Sequence, residues 1–306
     1  MAGSLIESMS NFAHLWVLFS LLSAFFQASR IAVTKQLSFS FSAQALTFFV
    51  NFASLCITLP LILWHHDFPL HQPRYFSAVL AGAVLSGFGG WSFNYAIKIS
   101  EISIVGPLIT LTPGFVIIIE WLLLGDMPSE TGLLGIGLLC AGSYILSLDG
   151  LRRDWFGPLL RIFSNPGSRY AFIASFCFAC ASVLGREAIR LSEPISFAVM
   201  VAIINPLVLF IIFSVQDRGF YKELIGGKAR AHLGALALLG GLFALMRLAD
   251  QIALSLTLAS YAMALKRMAG VFSVVIGHYL FREPRMPIKL VASVIMVLGV
   301  LAMIDD

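Results

Sequence analysis

Basic side chains inside apolar stretches are the residues with chemistry to explain. A charge near the centre of a bilayer costs roughly several kcal/mol unless it lines a wet cavity or has a partner. The chain carries 20 Lys and Arg. Four of them, Arg30, Arg247, Lys266 and Arg267, lie within long apolar stretches, and the rest lie in loops or at stretch ends. Arg247 stands about nine residues before the break near Leu256, and Lys266 about ten after it. At about 1.5 Å per helical residue both sit roughly 13–15 Å from the same end, at similar depth. Asp250 and Gln251 follow Arg247 at i+3 and i+4, on one helix face. Together these groups would hold a carboxylate or phosphate through charge-assisted hydrogen bonds. In that reading Arg247, Lys266 and Arg267 are cationic contacts, and Asp250 keeps one of them paired. The plain structural alternative is an internal Arg247–Asp250 pair, with Lys266 snorkelling along its stem.

Uncharged candidates are Asn94, Gln251, Tyr95 and Tyr261, which could face the same site or hydrogen-bond between helices. Arg30 lies one to two turns from the end of its stretch and is expected to snorkel. Glu120, one turn before Gly125, is expected at an interface. Pro107 and Pro113 free backbone carbonyls and permit bending. Gly132, Gly135 and Gly142 are read as close helix packing. Cys177 and Cys180 form Cys-x-x-Cys within an apolar stretch and are read as small packing residues. His65, His66 and His71 are read as a solvated loop, so no metal and no cofactor are expected.

The elements that must position these residues are helices in lipid. Hydrophobic residues make up 59% of the 306-residue chain and charged residues 12%, against about 25% charged in a soluble domain. That excludes a soluble fold, a disordered chain and a nucleic-acid partner. A bilayer core of about 30 Å needs roughly 20 mostly apolar residues per helix. Ten stretches qualify: 14–36, 43–64, 75–97, 103–124, 130–148, 170–190, 194–215, 232–255, 257–280 and 286–304. Backbone groups cannot go unpaired in lipid, so each is expected to be helical. Residues 1–10 contain no Lys or Arg, and no cleavable leader is expected.

The ten stretches form two copies of one unit. Ala96–Ile145 can be laid on Ala253–Ala302 at a constant offset of 157. Ser103 then meets Ser260, Asn94 meets Gln251, Asp126 meets Glu283 and Gly142 meets Gly299. Five helices is an odd number, so the second copy enters from the opposite side. The predicted architecture is all-α, with ten membrane helices as two inverted five-helix repeats (1–149 and 170–306) joined by a loop at 150–169. Such halves can rock about a site at their interface. At the same offset Lys266-Arg267 correspond to Ile109-Thr110, and Arg247 to Gly90. The charges are therefore asymmetric additions to a symmetric frame.

Two five-helix halves, each with an acidic turn before a glycine-containing last helix, resemble the EamA-like branch of the drug/metabolite transporter superfamily. Ala262-Met263-Ala264-Leu265-Lys266-Arg267, continuing to Gly277-His278-Tyr279-Leu280-Phe281-Arg282-Glu283, carries most of the likeness. The Lys266-Arg267 pair is also similar to the basic pair of triose-phosphate translocators, where the resemblance implies phosphate binding. What the family implies is a non-enzymatic secondary transporter of a small-molecule substrate, multi-pass in the lipid bilayer of a bacterial inner membrane, monomer or homodimer. Export of amino acids or drugs with little dependence on charge is the alternative, and a channel or membrane enzyme is less expected. Small relatives exchange protons through a first-helix Glu. No acid lies between His14 and Gln36 here, which argues against proton-coupled export of cations.

Loop charges divide three to thirteen between the two faces. The face shared with the termini has Arg74, Arg186 and Arg190. The positive-inside rule then places the termini outside the cytoplasm, whereas family convention places them inside.

Overall fold

The computed structural model describes residues 14–63, 68–100, 102–147, 165–216, 219–281 and 286–304. His65, His66, the Arg282-Glu283-Pro284 turn and most of the inter-repeat loop lie outside them. The first half contains α1 (Leu15–Leu37), α2 (Ala43–Thr58, continued by a 3-10 turn Leu59–Leu63), α3 (Pro73–Ile99), α4 (Ile102–Ile109), α5 (Thr112–Leu124) and α6 (Glu130–Ser147). The second contains α7 (Pro166–Arg190), α8 (Pro194–Gln216), short α9 (Phe220–Ile225) and α10 (Gly227–Ala231), α11 (Leu233–Leu256), α12 (Ala259–Leu265), α13 (Ala269–Phe281) and α14 (Met286–Ile304). Nine apolar spans and one shorter apolar helix among the described residues make this an integral multi-pass membrane fold.

Local sequence explains the helix ends. Ser42 caps α2 by accepting from the Ala45 N–H, and Asn165 caps α7 by accepting from Gly167 and Ser168. A side-chain oxygen there satisfies donors that the helix itself leaves free. Gly125 ends α5 at φ 74°, a left-handed position that costs glycine least.

The inverted symmetry is visible in which helices touch. α3 packs along α7, and α11 along α1, which are equivalent pairs under the repeat. α6 packs on α14 and α2 on α8, each a contact between an element and its own counterpart. The α6–α14 crossing is close because Gly135 and Gly299 face each other. A Cβ at Gly299 would stand 2.7 Å from the Gly135 carbonyl. Outward faces carry Leu18, Ile118, Leu122, Ile211 and Leu298, all exposed in the protein alone, as suits contact with lipid tails.

Two expected spans are not single helices. The stretch 103–124 breaks at Thr110-Leu111, between α4 and α5, and 257–280 breaks into α12, a 3-10 segment Lys266–Met268, and α13. The breaks coincide at the 157-residue offset. Pro113 has no N–H to give the Ile109 carbonyl four residues back, so the first break follows from sequence. Gly270 occupies the equivalent place in the second half.

Candidate functional site

Both breaks border one cavity of about 160 Å³ between the two halves. Its walls include Gln27 and Arg30 of α1, Thr47 and Asn51 of α2, Asn94 of α3, Thr112 of α5, and Arg247, Asp250 and Gln251 of α11. Lys266 and Arg267 enter it from the 3-10 segment. Asn94 and Gln251, equivalent in the repeat, thus share one space.

The charges are held in distinct ways. Lys266 Nζ donates to Asp250 Oδ2 at 2.5 Å, and the Ser23 hydroxyl donates to Asp250 Oδ1. Asp250 is therefore committed to Lys266 rather than to Arg247, which corrects the internal-pair alternative. Arg247 Nη2 donates to Asn51 Oδ1 at 3.0 Å. Its guanidinium lies 4.7 Å from the centre of the Phe243 ring, and that of Arg30 lies 5.2 Å from the same ring. Such cation–π contacts hold a cation without neutralising it. Arg267 Nη1 donates to the Ile109 carbonyl at 3.0 Å, which also accepts from the Thr112 hydroxyl at 2.7 Å. One arm of Arg267 thus caps the α4 half-helix at the carbonyl that Pro113 leaves free.

Among the described residues, four cations and one acid line the cavity, and several polar atoms of the lining residues are buried without a hydrogen-bond partner. These are the donors Arg30 Nε, Arg247 Nη1 and Arg267 Nε, and the acceptors Asn94 Oδ1 and Gln251 Oε1. Arg247 is 5% exposed and Asn94 5%. A buried polar atom without a bond costs roughly 1–3 kcal/mol, so this arrangement is suited to a ligand that supplies the missing partners. The chemistry is charge-assisted binding of an anion, with acceptors beside it for a donor group.

Two of the candidate residues are elsewhere. Tyr95 packs edge-on to Tyr170, with ring centres 4.8 Å apart, and stacks on Trp91. It is one residue, or about 100° of helix, away from cavity-facing Asn94. Tyr261 stacks on Trp16 and its hydroxyl accepts from the Ser129 N–H. Arg30 does not simply snorkel, since it lines the cavity, and Thr47, Asn51 and Gln27 join it there without having been singled out from sequence. A basic residue inside a span was the available signal for Arg30. The two α2 residues gave none beyond polarity.

Glu120, expected at an interface, is enclosed by protein at 0% exposure. Its two oxygens accept from the Ala259 and Ser260 N–H groups at 2.7 and 2.9 Å, and Arg186 Nε stands 3.5 Å away. The carboxylate caps the first turn of α12, the half-helix leading to Lys266. Arg186 also lies 3.5 Å from Asp126, to which Arg190 donates. Among the described residues, no group of three or more His, Cys, Asp or Glu is placed to hold a metal. All four cysteines are free thiols.

A family model described as EamA-like transporter family matches residues 14–148 and 165–304. None of the curated proteins matches the chain. Solved structures do, 28 chains in all. One crystal structure of a protein superposes with a TM-score of 0.71, covering 94% of this chain and 95% of that one at 14% identity. At that identity the likeness is one of fold.

Proposed function

The chain belongs to the EamA-like transporter family, part of the drug/metabolite transporter superfamily, and from that premise we propose that it carries a small polar metabolite bearing a carboxylate or phosphate. Membership makes it a membrane transporter. The cargo is read from the cavity. The observation that carries this reading is the imbalance of charge there: among the described lining residues Arg30, Arg247, Lys266 and Arg267 stand with one acid, Asp250, already engaged by Lys266 and Ser23.

Transport follows from the breaks. Helices interrupted at equivalent points of two inverted halves can bend there, and the halves can rock about the site between them. A 3-10 segment inside a helix is a usual place for such a hinge. Lys266 and Arg267 sit on that segment, so the groups that grip the cargo ride on the part that moves. Asn94 and Gln251 are proposed as further contacts. Tyr95 and Tyr261 are withdrawn from that role, since their rings pack elsewhere.

Counterflow in proteoliposomes tests the reading. Anionic metabolites inside the vesicle should accelerate uptake of labelled anion. Replacing Arg247 or Lys266 by Gln should abolish it in folded protein. Normal counterflow in both variants would overturn the assignment. For orientation, the three-to-thirteen loop charge division favours termini outside the cytoplasm, and a reporter fused at Asp306 that is active only in the cytoplasm refutes it.

A further inference from the structure

Two hydrogen bonds at Thr47 of α2 fix the direction of a cavity-lining amide. The Thr47 hydroxyl donates its one proton to the Ala43 carbonyl at 2.6 Å. A hydroxyl has a single donor, so toward any other group Thr47 Oγ1 can only accept. It accepts from Asn94 Nδ2 at 2.8 Å. The Asn94 amide therefore cannot turn over, and Oδ1 is the end left over from the Thr47 bond, on a side chain that lines the cavity. That oxygen is buried, has no partner in the protein and can only accept.

Thr47 acts on the cation as well. Its backbone carbonyl accepts from Asn51 Nδ2 at 2.9 Å, which sets the Asn51 amide with Oδ1 toward Arg247 Nη2. One α2 residue thus orients an acceptor through its hydroxyl and a guanidinium through its carbonyl. Helix-to-helix adhesion alone would explain the Asn94–Thr47 bond but not the choice of an amide, whose second polar atom stays unsatisfied at a cost.

We propose that Asn94 is a specificity-determining residue. It accepts a hydrogen bond from a hydroxyl or ammonium group on the cargo, and Thr47 enforces that polarity. The inference rests on the anionic-cargo reading and narrows it: the cargo is an anion that also bears a hydrogen-bond donor, such as a hydroxy acid, an amino acid or a phosphorylated polyol. Simple anions are discriminated against, because they would leave Asn94 Oδ1 buried and bare.

The test uses matched pairs that differ by one hydroxyl. Thermal stabilisation of the purified protein is measured with 2-hydroxyethyl phosphate against ethyl phosphate, lactate against propionate, and choline against ethyltrimethylammonium. The expected result is stabilisation by a hydroxylated anion at concentrations at least about tenfold lower than by its partner. Asn94→Leu should erase that difference. Thr47→Val frees the amide to offer its N–H instead and should erase or reverse it while Asn94 is still present. A merely structural role for Asn94 would lower the melting temperature without changing the ratio within a pair. Equal stabilisation by both members of an anionic pair overturns this inference and leaves the anionic reading standing. A wild-type preference kept in Thr47→Val overturns the relay. Stabilisation by the cation pair alone overturns the anionic reading and the cargo class with it. No shift from any pair overturns both.

Discussion

Lys266 and Asp250 meet at 2.5 Å across the gap between α11 and the 3-10 segment of the second broken span. The pair joins α11, an unbroken helix, to the segment at which the ninth span is interrupted. It also leaves Arg30, Arg247 and Arg267 without an acid of their own among the lining residues.

Asp250→Asn should therefore be more damaging than its small change in shape suggests. Breaking a buried pair by removing one partner typically costs about 3–5 kcal/mol, because the other charge is stranded. The double variant Asp250→Leu with Lys266→Met should regain much of the lost melting temperature but not transport. Thermal unfolding in detergent and vesicle uptake measured on the same samples separate the two effects.

Pro113→Ala restores the N–H that the Ile109 carbonyl lacks. Closing that bond competes with Arg267, which now donates to the same oxygen, and stiffens the junction of α4 and α5. Transport should slow severalfold while the melting temperature holds or rises. A variant as fast as wild type would separate the break from the transport cycle.

Glu120→Gln should lower stability by about 1.5–3 kcal/mol, the worth of a hydrogen bond to a charged group. The amide keeps one acceptor for two backbone donors and no charge for Arg186. The loss should be seen in thermal unfolding.

Gly299→Val should prevent accumulation of folded protein, since its Cβ would press on the Gly135 carbonyl, backbone against backbone. Gly137→Ala, on the α6 helix against which Gly299 packs, is the control. Nothing stands within 4 Å of its Cβ position, and it should express and melt like wild type.

The spans and the repeat were legible because both rest on patterns that lipid enforces: apolar length and an offset shared by two halves. The helix breaks were half legible. Pro113 announced the first, but the 3-10 segment at Lys266–Met268 has no proline and shows itself only through symmetry. Depth along a span placed Arg247, Lys266 and Asp250 together, yet it did not show that Glu120 is enclosed by protein. Its surroundings depend on what the start of α12 needs, not on distance from Gly125. Tyr95 and Asn94 are neighbours in sequence with different surroundings, and periodicity in a helix apolar on most sides offers little to tell one face from another. Thr47 and Asn51 escaped notice because isolated polar residues in membrane helices usually bind other helices. Here they do so and orient the site as well.

The central claim is that the cavity holds an anion, and a thermal-stability screen of the purified protein across anionic, neutral and cationic metabolites tests it most directly. Ligand that binds only the folded state raises the melting temperature by an amount that grows with the logarithm of its concentration relative to Kd. Compounds bearing a carboxylate or phosphate should stabilise the wild type, and Arg247→Gln should lose that response while still folding. Stabilisation by organic cations alone, unchanged in Arg247→Gln, would contradict the claim.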